Sequence, residues 1–527
     1  MRTKPAKRKK LGGERGWGGR GSGDILPHLV QRMVGGCFGR ANGYYVGMRS
    51  PFALFPALLA AVLLVLAPAV TARADLFGGK MTLRDENKMG HDFDQIIRAQ
   101  QNMVGDTYIT KYVAEVVARI VTGKRPMPFH VESAVIANPL INAFAIPGGY
   151  IYIFTGLIQS VDTESQLAGV IAHELAHVSQ RHVVSRIEKQ KKISLLSTAG
   201  MLAGLLLGVA SGGGNAAQAG QALVLGSQGV ATAAMLHYSQ EDEREADHVG
   251  LNSLVKAGYN PEGMPGTFEI MLKNKWYDNS SNMPSYLSTH PGTVERITYL
   301  NDRISRMPKS FLERKDDNAR LKRVQVLIRA RMSPANTALA YWDDKKRSEY
   351  TPMDYVGRGI TLERLKRIDE AQTAFEKALS LAKDDPLVVR EAGIFFFKTG
   401  RADRAAGLLQ KASIMDKDDA MALFYLARLQ AEAKQYSEAA RNMRKVNELV
   451  PEDWEVHHHL GMILGESGDT FGGNLHLGYA AVYSMRLDKA REYLQRTRDL
   501  AQPQTQEQKD RIKELEDIIK ARAEIGK

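Results

Sequence analysis

His173-Glu174-Leu175-Ala176-His177 is the stretch of sequence that decides the fold of this chain. It lies within an apolar helix predicted from Glu164 to Arg186, and residues four apart share one helix face, so both imidazoles can reach one metal ion. Glu174 follows the first imidazole and can act as general base towards a catalytic water. The alternative is a polar helix face with two surface histidines. The apolar neighbours disfavour it, because charged groups among them need partners or a metal.

A second polar motif, Glu243-Arg244-Glu245-Ala246-Asp247, opens a helix predicted from Glu241 to Lys256. Glu243 can supply the third ligand, and Asp247, one turn later on the same face, can accept the second N–H of a ligand histidine. Three protein ligands leave one coordination position open, which a catalytic zinc requires. The sequence therefore predicts one Zn²⁺ per chain. Further on, His290 and Arg296 are donor groups that can stabilise the oxyanion of a tetrahedral intermediate.

These motifs resemble those of the gluzincin metallopeptidases related to HtpX and the CAAX prenyl proteases, and among them the periplasmic members that carry tetratricopeptide repeats. The resemblance covers roughly residues 75–500. The shared motifs are His-Glu-Leu-Ala-His followed by Arg181-His182, Glu-Arg-Glu-Ala-Asp-His-Val-Gly at 243–250, and Ser-Thr-His-Pro at 288–291 followed by Arg296-Ile297. Together they are highly specific.

The resemblance assigns roles to individual residues. It implies that three side chains bind zinc: His173, His177 and Glu243. Glu174 is then the base, and His290 and Arg296 match the positions that stabilise the transition state. The resemblance also implies a latent state in which His290 occupies the metal's open place. The alternative for His290 is a loop histidine that caps the following helix.

Asn142-Ala143-Phe144-Ala145 resembles the edge strand that binds peptide substrate in this clan. An extended substrate would add there as a further strand, which would align its scissile carbonyl with the zinc. The alternative is a plain core strand. Side-chain alternation allows both, because one face can pack while the edge stays free.

Residues 75–305 are predicted to form an α+β zincin-like metallopeptidase domain, mostly helical with a small sheet. A helix is expected over Gln95 to Val121 from its apolar spacing. Strands are expected within Phe129 to Ile136 and Ala143 to Phe154, the second split by the turn Pro147-Gly148-Gly149.

A period of 34 residues follows a charged connector, residues 306–335. The positions that recur are Gly359, Ala371, Phe375 and Ala378, then Gly393, Ala405, Leu409 and Ala412, then Ala427, Ala439, Met443 and Val446. This spacing predicts an all-α tetratricopeptide repeat superhelix over residues 336–502, closed by a capping helix in residues 503–527. The alternative is a generic helical bundle.

Residues 1–74 are predicted to be a basic leader and signal peptide. Residues 1–51 hold eleven Lys and Arg against Glu14 and Asp24, and the apolar run from Pro51 to Val70 precedes the small-x-small site Ala72-Arg73-Ala74. Met48 would start a signal of ordinary length. The alternative is a retained membrane anchor.

Charge and cysteine content restrict the mature protein. Most of the formal net charge of +12 belongs to the leader, so a nucleic-acid partner is not expected. The single cysteine, Cys37, also lies in the leader, so the mature chain has neither disulfides nor a cysteine nucleophile. Export without cysteine fits a bacterial periplasm.

An apolar segment rich in Ala and Gly, residues 194–236, is expected to form a helical hairpin that covers the site or touches the membrane surface. The alternative is a membrane span over residues 194–210, which the serine, threonine and glycine content of that run and its short length disfavour.

The sequence therefore predicts a periplasmic, zinc-dependent metalloendopeptidase. By resemblance, it degrades misassembled or unfolded envelope proteins and assists outer-membrane β-barrel assembly, with the β-barrel assembly machinery as a partner. The repeats would bind substrate or that machinery. One alternative is a repeat-based chaperone or adaptor with a latent protease. Another is an intramembrane protease, which the single doubtful apolar segment disfavours.

Overall fold

The computed structural model describes residues 80–123, 127–189, 238–277, 285–500 and 505–525. All of these residues belong to one compact unit, Leu76–Lys527. The predicted leader and signal peptide and the predicted hairpin over residues 194–236 lie outside the described residues.

The first half of the described chain is mostly helical with a small sheet. Its helices are α1 Leu83–Gln100, α2 Thr107–Thr122, α3 Thr155–Ser160, α4 Glu164–Ser179, α5 His182–Lys189, α6 Gln240–Lys256, α7 Gly263–Tyr277, α8 Ser285–Thr289, α9 Thr293–Ser305 and α10 Lys309–Leu312. Its strands are β1 Glu132–Ile136, β2 Ala143–Ile146 and β3 Tyr150–Phe154.

The sheet has the order β1-β3-β2, with β1 parallel and β2 antiparallel to β3. The predicted turn between β2 and β3 is confirmed. Gly148 has a φ of 83° and Gly149 a φ of 96°, values that glycine adopts at no steric cost. Because β3 is central, β2 lies at an edge of the sheet, as expected for a strand that receives a substrate.

The single helix predicted over Gln95–Val121 is wrong, because the chain breaks between α1 and α2. Asp106 caps α2 by accepting a hydrogen bond from the N–H of Tyr108 at 3.0 Å. Just before it, Met103 forms an antiparallel bridge with Ile136 of β1. The break therefore adds a short extended segment to the sheet, which local apolar spacing does not reveal.

Helix α4 is the centre of the domain and is buried on nearly all sides. Thr163 caps its first turn, in a capping box with Gln166. Gly250 of α6 faces α4 so closely that a Cβ there would lie 3.0 Å from the carbonyl oxygen of Ala172. This close packing brings the ligand-bearing faces of α4 and α6 together.

Helix α4 ends at Ser179 rather than continuing to Arg186 as predicted. Arg181 adopts a left-handed conformation with a φ of 56°, and α5 starts at the next residue. The Arg181 side chain donates to Glu86 Oε2 at 2.7 Å and to the carbonyl of Met81 at 2.8 Å. Distant partners therefore hold a turn that is unfavourable for a residue with a Cβ.

The second half of the chain is all helical. Its helices are α11 Ala319–Met332, α12 Ala335–Asp344, α13 Pro352–Arg364, α14 Ile368–Leu381, α15 Pro386–Lys398, α16 Ala402–Met415, α17 Ala420–Glu432, α18 Tyr436–Leu449, α19 Trp454–Glu466, α20 Thr470–Tyr483, α21 Leu487–Leu500 and α22 Gln506–Ile525. No helix of the described chain is both long enough and apolar enough to span a membrane.

The helix pairs repeat every 34 residues, since α13, α15, α17 and α19 begin at 352, 386, 420 and 454. Small residues allow the two helices of a pair to approach. A Cβ on Gly359 would lie 2.8 Å from the Phe375 ring, and one on Gly393 would lie 2.9 Å from Leu409. The predicted architecture, a mostly helical domain with a small sheet followed by an all-α repeat array, is confirmed.

The repeat array packs directly on the first half of the chain. Asp106, which caps α2, forms ion pairs with Arg331 of α11 and with Arg390 of α15, the latter at 3.3 Å. Arg390 is fully buried and also contacts Glu391 at 2.5 Å. Part of the repeat surface is therefore occupied by the chain's own first half.

Candidate active site

Three predicted ligand side chains converge at the centre of the domain. His173 Nε2 lies 3.0 Å from His177 Nε2, because the two residues are one turn apart on α4. The Glu243 carboxylate, from α6, lies 3.4 Å from His173 Nε2 and 3.5 Å from His177 Nε2. Two imidazoles and a carboxylate therefore face one point.

His290, which follows α8, brings a fourth donor to the same point. Its Nδ1 lies 2.9 Å from Glu243 Oε1 and 3.4 Å from His173 Nε2. All four donor atoms lie within 4.8 Å of one another, and all four residues are buried. Donors about 2.0–2.2 Å from a tetrahedral ion are separated by roughly 3.3–3.6 Å, so this set fits a divalent metal.

The carboxylate of Asp247 contacts the outer nitrogen of a ligand histidine, as predicted for the residue one turn after Glu243. Asp247 Oδ1 lies 2.9 Å from His173 Nδ1, which leaves Nε2 of that ring for the metal. Arg296 donates two hydrogen bonds to Asp247, at 2.8 and 2.7 Å, and Tyr299 donates a third. Hydrogen bonds from two side chains of α9 therefore hold the Asp247 carboxylate in place.

Arg296 was predicted to stabilise the transition state. In this arrangement its guanidinium lies between two carboxylates, 2.5 Å from Glu243 Oε2 and 2.7 Å from Asp247 Oδ1. Attraction by Asp247 and Glu243 outweighs the effect of burial and raises the pKa of Arg296 further. The residue therefore carries the positive charge that balances the acidic ligands.

Burial and charge determine the protonation of the ligands. Burial lowers the pKa of His177 well below its ordinary value, which favours the neutral imidazole that metal binding requires. Burial alone would raise the pKa of Glu243, but the attraction of His290 and Arg296 outweighs it and keeps the carboxylate ionised.

Glu174 has the environment of a general base. It is 1% exposed, and burial raises its pKa while His290 and His173 partly offset the rise. Its Oε1 makes no hydrogen bond among the described residues, although His290 Nε2 lies 3.5 Å away. A carboxylate with a raised pKa and an oxygen without a hydrogen-bond partner, beside the donor cluster, is suited to accept a proton from a water held there.

Two tyrosine rings cover His290. The Tyr286 ring stacks on it with centroids 4.3 Å apart, and the Tyr238 ring stacks at 5.0 Å. Tyr238 also stacks on His177 at 3.8 Å. His290 is therefore a fourth candidate donor, and together with His173, His177 and Glu243 it would complete the four-ligand set of a closed metal site.

The predicted substrate strand lies beside the helix that carries the ligands, since β2 packs against α4. Ala143 is buried, whereas Phe144 and Ala145 are half-buried. Phe144 stacks on Tyr152 of β3 with centroids 4.9 Å apart. Asn142 accepts a hydrogen bond from the N–H of Phe154 at 3.1 Å through its carbonyl, so the strand is anchored to the sheet on one side.

The structure thus brings together the predicted ligands, base, outer carboxylate and donor groups in one cluster. Sequence reasoning assigned no role to four residues that contact it: His182, Tyr238, Tyr286 and Tyr299. The signal for His182 was its place directly after the His-Glu-Leu-Ala-His motif. No local pattern marks the tyrosines, which reach the site from separate segments.

Comparison with known proteins agrees with this geometry. Residues 106–304 match the model of Peptidase family M48, and the predicted resemblance to zinc metallopeptidases is confirmed. The family implies a metal cofactor, and the buried donor cluster is where this chain can hold it.

Particular relatives extend the similarity beyond that domain. The chain is 29% identical over 325 residues to the Beta-barrel assembly-enhancing protease of Escherichia coli, covering 60% of this chain and 65% of the relative. It is 26% identical over 398 residues to the protein of that name from Yersinia pestis, covering 72% and 77%. It is 32% identical over 169 residues to the Mitochondrial metalloendopeptidase OMA1 of Arabidopsis thaliana, covering 32% and 30%.

Proposed function

We propose that this chain is a zinc-dependent endopeptidase of the bacterial periplasm that degrades misassembled or unfolded envelope proteins and assists outer-membrane β-barrel assembly. The observation that carries the proposal is the convergence of His173, His177 and Glu243 with the carboxylate of Glu174 beside them. The E. coli and Yersinia relatives are both named Beta-barrel assembly-enhancing protease, which supports the link to β-barrel assembly.

Zinc is the proposed metal because imidazole nitrogens with one carboxylate, in tetrahedral spacing, are a typical ligand set of catalytic zinc. When bound, the ion would supply Lewis-acid polarisation of the scissile carbonyl and a nucleophilic water. The chain's own contribution is to hold the two imidazoles in place. His173 is held through Asp247, at 2.9 Å.

Glu174 is the proposed proton carrier. Its buried carboxylate accepts the proton of the attacking water and delivers it to the leaving amine, which requires a pKa close to the working pH. Burial raises the pKa in that direction. Substrate in extended form would lie along β2, at Asn142, Ala143, Phe144 and Ala145, and add as a strand to the sheet edge.

The repeats are proposed to receive unfolded or misassembled outer-membrane proteins, or to dock the enzyme on the β-barrel assembly machinery. Stacked helix pairs offer an extended surface for such a partner. The proposed peripheral membrane contact would involve residues 194–236. No nucleic-acid partner is proposed, because most of the formal net charge of +12 belongs to the leader.

The test is cleavage of an unfolded outer-membrane protein by the purified zinc-loaded chain and its Glu174→Gln variant. We expect the variant to keep one zinc per chain and to lose at least about 10²–10⁴-fold in rate, because the proton acceptor is gone. Glu241→Gln, at the exposed start of α6, is the matched control and should cleave normally. Undiminished cleavage by the Glu174 variant would reject the assigned base.

A second candidate is a repeat-based chaperone or adaptor whose protease is latent. It is favoured by the position of His290 among the donors, stacked between Tyr286 and Tyr238. In that arrangement a substrate carbonyl has no coordination place to enter. Removing the imidazole distinguishes the two roles: His290→Ala raises basal cleavage if the residue blocks the metal, and lowers it if the residue stabilises the transition state.

A further inference from the structure

His182 reaches the catalytic cluster because α4 breaks. In a continuous helix a residue five positions after His177 would point roughly 140° away from it. The left-handed turn at Arg181 reverses the chain, so His182 starts α5 and its ring returns to His177. His182 Nδ1 lies 2.8 Å from His177 Nδ1, and His182 is 4% exposed.

The two ligand histidines of α4 therefore have different supports. His173 Nδ1 faces the Asp247 carboxylate directly, at 2.9 Å. His177 Nδ1 faces a second imidazole instead. Two ring nitrogens 2.8 Å apart need one proton between them, so one ring must donate and the other accept.

The other end of His182 decides which ring donates. His182 Nε2 lies 3.3 Å from Glu245 Oε2 and 3.9 Å from Asp242 Oδ1, both on α6. Ionised carboxylates only accept hydrogen bonds, so Nε2 of His182 carries its proton. A neutral His182 then has a lone pair on Nδ1, which accepts the N–H of His177 Nδ1.

We propose that His182 is the positioning residue of His177. It accepts a hydrogen bond from the Nδ1–H of that ligand and so fixes the tautomer whose Nε2 lone pair faces the other donors. Its own Nε2–H donates to Glu245, whose negative charge polarises the His182 ring. Hydrogen bonding to the outer nitrogen of a metal-binding imidazole sets its orientation and raises its basicity. For His173 this hydrogen bond goes directly to the Asp247 carboxylate. For His177 it goes to His182, which in turn bonds to the Glu245 carboxylate. The inference depends on the proposed metal centre.

The turn that delivers His182 is itself fixed. Arg181 pairs with the buried Glu86 of α1, 1% exposed, so the first helix of the domain helps to hold the end of α4. On α5, Arg186 pairs with Asp242 of α6 at 2.9 Å. The segment that carries His182 is therefore held by ion pairs to α1 and to α6.

Two substitutions of His182 separate positioning from mere packing. His182→Asn places an amide oxygen close to where Nδ1 lies, so it keeps an acceptor for His177. His182→Phe keeps a ring of similar size but accepts nothing. His130→Asn is the matched control, because His130 is exposed and remote from the donor cluster.

The measurement is zinc affinity of the full chain by competition with a chelator, which does not depend on cleavage. We expect His182→Phe to weaken zinc binding roughly 10- to 100-fold. We expect His182→Asn to stay within about threefold of wild type, since the acceptor at the ligand's outer nitrogen is retained. Glu245→Gln should have a smaller effect than His182→Phe, because Gln can still accept from Nε2 of His182.

A spectroscopic readout tests the assigned proton. In the Co²⁺-loaded chain the N–H protons of ligand imidazoles give exchangeable, paramagnetically shifted NMR signals. We expect His182→Phe to lose the His177 signal to exchange or broadening and His182→Asn to keep it. Wild-type zinc affinity in a folded His182→Phe variant would overturn the inference, as would equal weakening in both variants. If the wild-type chain bound no metal, the proposed function itself would fail.

Discussion

Two buried histidine clusters in this molecule have opposite surroundings. In the first half, His173, His177 and His290 meet the carboxylates of Glu243 and Glu174. In the repeat array, His457 of α19 faces His476 of α20, with Nδ1 atoms 2.9 Å apart, and neither ring touches a carboxylate at hydrogen-bond distance among the described residues. Spacing alone therefore does not identify a metal site.

Hydrogen bonds occupy all four ring nitrogens of the pair in the repeats. His457 Nε2 donates to the carbonyl of Pro451 at 2.8 Å, which leaves its Nδ1 to accept from His476. Arg511 of α22 then donates to His476 Nε2 at 3.3 Å. Because every ring nitrogen has a partner and the charged group that hydrogen-bonds to the pair, Arg511, is a cation, this pair stabilises packing and offers no place for a metal.

The largest difference between the clusters should appear in metal content. We expect His177→Ala to reduce bound zinc from one equivalent to none, because one of three protein ligands is lost. His457→Ala, which removes an equally buried imidazole, should keep one equivalent. Metal analysis after dialysis against trace chelator measures both. If His177→Ala retained zinc, or if His457→Ala lost it, the two histidine clusters would not differ in metal binding as proposed.

The acidic surroundings of the first cluster also predict a large stability effect. Arg296 is the cation that balances Glu243 and Asp247, so Arg296→Met leaves two buried carboxylates uncompensated. We expect a loss of about 3–5 kcal/mol in the free energy of unfolding of the chelator-treated chain. Added zinc should recover part of the loss, because it supplies positive charge at the same place.

Chemical denaturation of the two variants measures this effect. Arg303→Met is the control, since Arg303 lies on the same helix and bonds Asn252 at 2.7 Å at the surface. A partly exposed contact of this kind should cost less than about 1 kcal/mol. Comparable losses for both arginines would mean that the buried charges are not balanced as the geometry indicates.

Much of the site was predictable because its elements are local. The i and i+4 spacing of His173 and His177 fixes their common face, and the motif beginning at Glu243 places its carboxylate and Asp247 one turn apart. The repeats were predictable for the same reason: a small residue at Gly359 and a large one at Phe375 recur at a constant period.

Features that depend on distant partners were not predictable. The break after Ser179 needs Arg181 in a left-handed conformation that Glu86, about a hundred positions away, helps to hold. The contact between Asp106 and Arg390 joins residues separated by 284 positions and determines which part of the repeat surface is covered. A single sequence carries no local sign of either pairing, so the role of His182 also stayed hidden.

The smallest expected effect concerns pH and the cluster in the repeats. Burial, together with the charges of His457 and Arg511, lowers the pKa of His476 to about 3 from its ordinary 6.5, while His457 is also lowered. Between these values the unfolded chain binds more protons than the folded chain. Stability contributed by the neutral ring is therefore complete above pH 6.5 and declines as the pH falls towards 3.

At pH 5 the loss attributable to His476 is about 2 kcal/mol relative to pH 7. The carboxylates of Asp453 and Glu514 act on the pKa of His457 in the opposite direction to burial. The measured quantity is therefore the change in unfolding free energy between pH 7 and pH 5, compared between wild type and His476→Gln. We expect the substitution to reduce this pH dependence, because the group that resists protonation is removed.

His458→Gln, the neighbouring half-buried histidine on α19, should leave the pH dependence intact. The same pH dependence in all three chains would show that His476 is not held neutral, and the contrast between the two clusters would then rest on metal content alone.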